Sequence, residues 1–234
     1  MSRLLQAARS KPLLQVALDL TDLERALYVA HECARAGVHV IEVGTPLLKS
    51  WGVLGVSLLR RTLRGALVLV DAKTADAARV EIELLARAGA DAVTVLGASS
   101  DEVVEEALAA CRELGVDLVV DLIHVDKPVE RALRLADLGA QIFELHVGVD
   151  VQRRRGVDAR ALLEEVKQLS STGLIVAVAG GIRPENAGTF VEAGARIVVI
   201  GGAIYRSPSP FEAARRALQS IGGSSPSPSS STAS

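Results

Sequence analysis

The chain of 234 residues contains only two cysteines, Cys33 and Cys111. They fall far apart in helical patterns and match no metal-ligand spacing. They read as reduced core thiols of a cytoplasmic protein rather than as a disulfide framework. No basic stripe runs along the sequence and the formal net charge is −2, which argues against nucleic acid as a partner. No segment approaches the ~18 uninterrupted apolar residues that a membrane span needs. Residues 1–9 are broken by charge and lack the apolar centre of a secretory signal, so no membrane partner is expected.

What is present is apolar sequence in regular pieces: hydrophobic residues make up 49% of the chain, enough for one large core. A short phrase recurs in which Gly follows a helical pattern and a buried apolar run follows at once. It appears as Ala36-Gly37-Val38, Ala88-Gly89-Ala90, Leu114-Gly115-Val116, Leu138-Gly139-Ala140 and Ala193-Gly194-Ala195. Gly ends each helix in the left-handed cap and a strand begins. Strands are predicted at 14–19, 38–42, 66–71, 92–96, 117–121, 140–145, 174–178 and 197–200, with amphipathic helices between them. Eight strand–helix units with near-continuous Val, Ile and Leu predict an α/β fold, a closed (β/α)8 TIM barrel in a single domain. An open doubly wound sheet is the alternative. The predicted division is an N-terminal segment at 1–13, the barrel at 14–221 and a disordered Ser/Pro-rich tail at 222–234.

Such barrels carry their chemistry at the carboxyl ends of the strands. Polar residues gather there: Asp19, Glu42, Asp71 with Lys73, Asp121 and His146. Asp71-Ala72-Lys73-Thr74-Ala75-Asp76 is the densest group. Strand alternation puts Asp71 and Lys73 on one side, and Asp76, near the next helix, can turn back toward them. Carboxylates around an ammonium can hold a divalent cation and place a proton donor beside it, although each residue alone could be an ordinary solvated strand end. His146 is available for proton transfer near neutral pH or for hydrogen bonding to substrate oxygens. Gly180-Gly181 and Gly201-Gly202 follow strands seven and eight, where backbone N–H groups commonly hold phosphate. Arg153-Arg154-Arg155 reads as a solvated loop.

These residues, with Glu42-Val43-Gly44-Thr45-Pro46-Leu47 and His146-Val147-Gly148-Val149-Asp150, resemble the orotidine monophosphate decarboxylase suprafamily, and within it the 3-hexulose-6-phosphate synthase branch. The resemblance implies a lyase that joins formaldehyde to D-ribulose 5-phosphate by an aldol reaction, or reverses it, through an enediolate. It further implies Mg²⁺ or Mn²⁺ at Glu42 and Asp71, and Lys73, Asp76, His146 and Asp19 as the catalytic set. The glycine pairs at 180–181 and 201–202 would bind phosphate, and Asp76 would cross into the neighbouring subunit of a homodimer. Three positions depart from the usual pattern. Ala78 and His124 replace frequent glycines, and Val147 replaces a frequent threonine. They bear on the substrate more than on the fold. 3-Keto-L-gulonate-6-phosphate decarboxylase is the enzyme alternative, and a non-catalytic sugar-phosphate-binding barrel is another.

Overall fold

The structure is a computed structural model that describes residues 3–63 and 65–222, so the expected tail lies outside the described residues from 223 onward. Eight parallel strands close into one barrel in chain order. They are β1 Leu13–Leu18, β2 Val40–Val43, β3 Leu67–Thr74, β4 Ala92–Leu96, β5 Asp117–Asp121, β6 Ile142–His146, β7 Ile175–Ala179 and β8 Ile197–Ile200. The helices of the first half are α1 Arg3–Ser10, α2 Leu23–Ala36, α3 Thr45–Thr62, α4 Ala78–Ala88 and α5 Asp101–Leu114. Those of the second half are α6 Pro128–Asp137, α7 Val149–Arg155, α8 Leu163–Ser170, α9 Ala187–Glu192, α10 Gly202–Tyr205 and α11 Pro210–Ile221. The ring closes where Gln15 and Val16 of β1 pair with Val199 and Ile200 of β8.

The expected TIM barrel is therefore present, and the reasons are local. Gly37 and Gly89 end α2 and α4 with φ of 94° and 104°, a region that costs other residues strain. Each strand then buries both faces, one against the helices and one inside the barrel, which is why its sequence runs apolar without alternation.

Two apolar clusters result. The outer one joins the strands to the surrounding helices. The inner one fills the lower barrel with Leu13, Val40, Leu67, Ile142, Ile175 and Ile197, and α1 closes it from below with Leu4, Leu5 and Ala8. Burial of one such leucine contributes roughly 1.5–3 kcal/mol. The segment before β1 is thus part of the barrel's floor. Its attachment is also polar: Leu4 N–H donates to Asp117 at 2.8 Å, and Arg3 reaches Asp91 at 2.6 Å. Asp91 in turn accepts from Arg60 and from the Val68 N–H, tying α3 and β3 to the same end.

His39 joins β1 to β2 below the site. Its Nδ1 accepts the Leu14 N–H at 3.0 Å, and burial, with the nearby Lys11, lowers its pKa to about 4. Because unfolding lets this ring take up a proton between about 6.5 and 4, its stabilising contribution is present above that window and is lost as pH falls through it. His39→Asn keeps an acceptor for Leu14 and does not titrate. Denaturant unfolding followed from neutral to mildly acidic pH should show the wild type losing stability relative to His39→Asn; parallel curves would contradict this.

Candidate active site

Above the apolar floor, six of the strands turn polar side chains into the barrel. Gln15, Glu42, Asp71, Thr94, Asp121 and Glu144 are all buried. In the strand registry Asp121 lies beside Glu144, whereas Glu42 lies beside Ala17 and Leu69, so the polar side chains are staggered around the ring. Lys73 and His146 stand one inward position higher, and Asp19 sits exposed at the mouth. Over them opens a cavity of about 850 Å³ lined by Asp19, Glu42, Asp71, Lys73 and His146, together with both glycine pairs.

Lys73 is the centre of this array. Strand β3 runs three residues beyond its predicted end because it bulges: its register with β4 shifts between Val70 and Thr74. Lys73 takes φ 48°, unusual for a residue with a side chain, and so is aimed across the mouth. Thr94 holds the bend. Its hydroxyl accepts the Lys73 N–H at 2.9 Å and donates to Asp71 Oδ1 at 2.8 Å. Thr45 donates to Asp71 Oδ2 at 2.8 Å. The Lys73 ammonium lies 2.5 Å from Asp121 Oδ2 and 3.1 Å from Asp71 Oδ2. Burial alone would lower the Lys73 pKa, but the charges of Asp121, Asp71 and Glu144 outweigh it and raise it, so the side chain stays cationic.

The carboxyls divide into two kinds. Burial pushes the Asp121 carboxyl up, yet the His146 hydrogen bond and charge and the Lys73 ammonium bring it down to about 2. Glu42 and Glu144 go the other way. Burial raises both well above the ordinary carboxylate range, reinforced at Glu42 by Asp71 and Asp19, and at Glu144 by Asp121 and Glu42. A Gln15 Nε2–H bond of 2.7 Å to Glu42 offsets only part of this. Asp19 is raised as well: although part of it meets solvent, its carboxyl is set back against the barrel, and burial there, then the Asp71 charge, disfavours ionisation.

Loops after β7 and β8 form the other end of the cavity. Gly180 and Gly181 have φ of 121° and 70°, and a side chain at 180 would run into the Val147 carbonyl at 2.7 Å. Gly202 opens the short helix α10, and the Arg206 guanidinium lies over that turn. Arg153, read as part of a solvated loop, belongs to α7 and reaches the cavity wall, as do Arg183 and Arg206.

Of the eleven residues singled out in the sequence, Asp76 alone stands apart. It is exposed in the turn before α4 and joins no ion pair or hydrogen bond among the described residues. His146 is the last residue of β6 rather than part of the following loop, with Nδ1 3.3 Å from Asp121 and 3.3 Å from Glu144. Thr45, Thr94 and Glu144 were missed by sequence reading. Glu144 had a signal, a lone acid two residues before His146 inside an apolar run.

The Orotidine 5'-phosphate decarboxylase / HUMPS family profile matches residues 12–217. The chain belongs to this family. It is 36% identical over 208 residues to the 3-hexulose-6-phosphate synthase of Mycobacterium gastri, covering 89% of this chain and 99% of that one. A solved 3-hexulose-6-phosphate synthase superposes with a TM-score of 0.84 at 36% identity, covering 89% of this chain and 99% of the other. A solved KGPDC from Streptococcus mutans has the same TM-score, 0.84, at 27% identity, covering 90% and 97% of the two chains. The chain is an enzyme of the carbon–carbon lyase class, with the synthases as its relatives.

Thr94→Val tests the brace around Lys73. It leaves the buried Asp71 oxygen and the Lys73 N–H short of a partner, which costs about 1–3 kcal/mol. Equilibrium unfolding should show a loss of that size; an unchanged midpoint would place the brace elsewhere.

Proposed function

We propose that this enzyme catalyses the aldol condensation of formaldehyde with D-ribulose 5-phosphate to 3-hexulose 6-phosphate, and its reversal, in the cytoplasm. The observation that carries the reading is the pairing of one caged ammonium with a carboxylate cluster at one end of the cavity and glycine-rich loops at the other. That arrangement suits a phosphorylated sugar whose reacting end becomes an anion. Likeness to the synthases over nearly the whole chain supports it.

Glu42 and Asp71 fit a divalent cation, Mg²⁺ or Mn²⁺. They are buried, they face one cavity, and their mutual repulsion calls for positive charge. When bound, such a cation supplies Lewis acidity toward the oxygens of the ketose. The chain's own groups do the rest. Lys73 holds positive charge beside the developing enediolate and shields it from water. His146 is placed to carry a proton to or from the substrate's reacting carbons and oxygens. Asp19 holds substrate hydroxyls at the mouth. The N–H groups at Gly180-Gly181 and Gly201-Gly202, with the nearby Arg206, receive the phosphate.

Asp76 acts in this reading on the neighbouring subunit of a homodimer. Its exposure without a partner supports this, as do Val80 and Leu84, exposed one turn apart on the adjoining face of α4 at 61% and 51%.

Purified protein should consume formaldehyde only when D-ribulose 5-phosphate and a divalent cation are both present, stop after chelation and recover on adding Mg²⁺. Consumption that survives exhaustive chelation would remove the metal, and none under any condition would remove the reaction. Lys73→Ala should lower kcat by on the order of 10³ or more while leaving the circular dichroism spectrum unchanged; near-normal turnover would displace Lys73 from the site. Mixing inactive Lys73→Ala and Asp76→Ala subunits under exchange should regain activity, because one site of each mixed dimer has both groups. No recovery would confine Asp76 to its own chain.

A further inference from the structure

The reaction as read above makes no use of Glu144, although its placement is costly. It pairs in register with Asp121 and lies two residues before His146, so alternation along β6 turns both Glu144 and His146 into the barrel. Its Oε1 approaches His146 Nδ1 at 3.3 Å, and Asp121 Oδ2 approaches the same nitrogen at 3.3 Å. Two acceptors converge on one ring nitrogen. Each distance is long for an N–H···O bond, so neither alone fixes the ring. Asp121 Oδ2 is moreover shared with the Lys73 ammonium at 2.5 Å. The Glu144 oxygen stands at the same distance from the nitrogen that Asp121 holds only loosely.

We propose that Glu144 is a positioning residue for His146: with Asp121 it keeps the proton on Nδ1 and turns the Nε2 lone pair toward the substrate. The inference rests on the reading of His146 as the group that faces the sugar phosphate. The protonation states agree with it. Asp121 is held ionised, and burial with the Asp121 and Glu42 charges favours the neutral form of Glu144. A neutral carboxyl still offers its carbonyl oxygen to Nδ1–H and adds no negative charge to a crowded floor. Asp121, Glu144 and His146 also place ligand atoms within 4.8 Å of one another, the spacing of a metal site. The positive charge there is already supplied by Lys73 against Asp121, so a brace accounts for the cluster.

The test uses the full chain labelled with ¹⁵N histidine in mildly alkaline buffer. The chain has four histidines, and the His146 ring signals are identified by their loss in His146→Asn. Wild type should show His146 protonated on Nδ1 alone. Glu144→Met should mix the two tautomers and lower kcat by about 10- to 100-fold with KM for the sugar phosphate little changed. It should melt no lower than wild type, since an apolar chain of similar length replaces a desolvated carboxyl. Glu144→Gln retains an acceptor oxygen and should restore both the tautomer and most of the turnover. A His146 spectrum unchanged in Glu144→Met, or an Nε2-protonated ring in wild type, overturns the proposal. The spectrum needs no turnover, so absence of the aldol reaction in wild type would sink the proposed function while leaving this inference open to its own test.

Discussion

The site depends on one ammonium set among five carboxyl groups. Lys73 is within ion-pair distance of Asp121 and Asp71, and Glu42, Glu144 and Asp19 complete the group around it. Like charges held this close in a desolvated mouth cannot all ionise without an answering cation. The protein answers by three means. It inserts a lysine, held by a bulged strand and the Thr94 hydroxyl. It draws the Asp121 pKa down with Lys73 and His146, and the Ile123 N–H donates to the same carboxylate at 2.9 Å. And burial favours the neutral forms of Glu42, Glu144 and Asp19. Raised carboxyl pKa values mean that stability from Glu42 and Glu144 is present at low pH and is lost as pH rises and they ionise, the sign opposite to that of His39. The centre of the barrel therefore holds more carboxyl groups than its one ammonium can balance.

The barrel is built asymmetrically to tolerate this. Strands β1 to β6 provide the polar side chains. Inside the barrel β7 and β8 contribute Ala177 and Val199, and the loops above them are glycine-rich. Charge thus accumulates on one side and open backbone on the other, with the Asp19 carboxylate beside Gly201 where the two meet. Below, the apolar layer and α1 exclude water from the floor, which strengthens every interaction above it. Ligand binding at one rim and stability at the opposite end are carried by different residues.

Much of this was legible in the sequence because it follows from periodicity. The Gly phrases located the helix ends, and strand counting gave the closed barrel. The carboxyl ends of those strands then gave nine of the residues that line the cavity. What escaped depends on departures from regular geometry. The extension of β3 to Thr74 and the left-handed Lys73 come from a bulge that no pattern announces. Thr94 looks like any strand threonine until its hydroxyl is found between Lys73 and Asp71. Glu144 sits inside a run that otherwise reads as core, marked only by its spacing from His146, and registry with Asp121 shows where it stands. His124 takes φ 62° at the position where a glycine is more usual, so the departure noted in the sequence is absorbed as backbone strain. Asp76 is the converse case: a motif residue that joins no hydrogen bond or ion pair among the described residues.

The central claim is that this cage makes an enediolate from D-ribulose 5-phosphate, a step that needs no formaldehyde. The most direct measurement is proton NMR of D-ribulose 5-phosphate in D₂O with the enzyme and Mg²⁺. Stereospecific loss of one C1 proton signal through exchange with solvent is expected, and its abolition in Lys73→Ala. Retention of both C1 protons by folded enzyme that binds the sugar phosphate would contradict it.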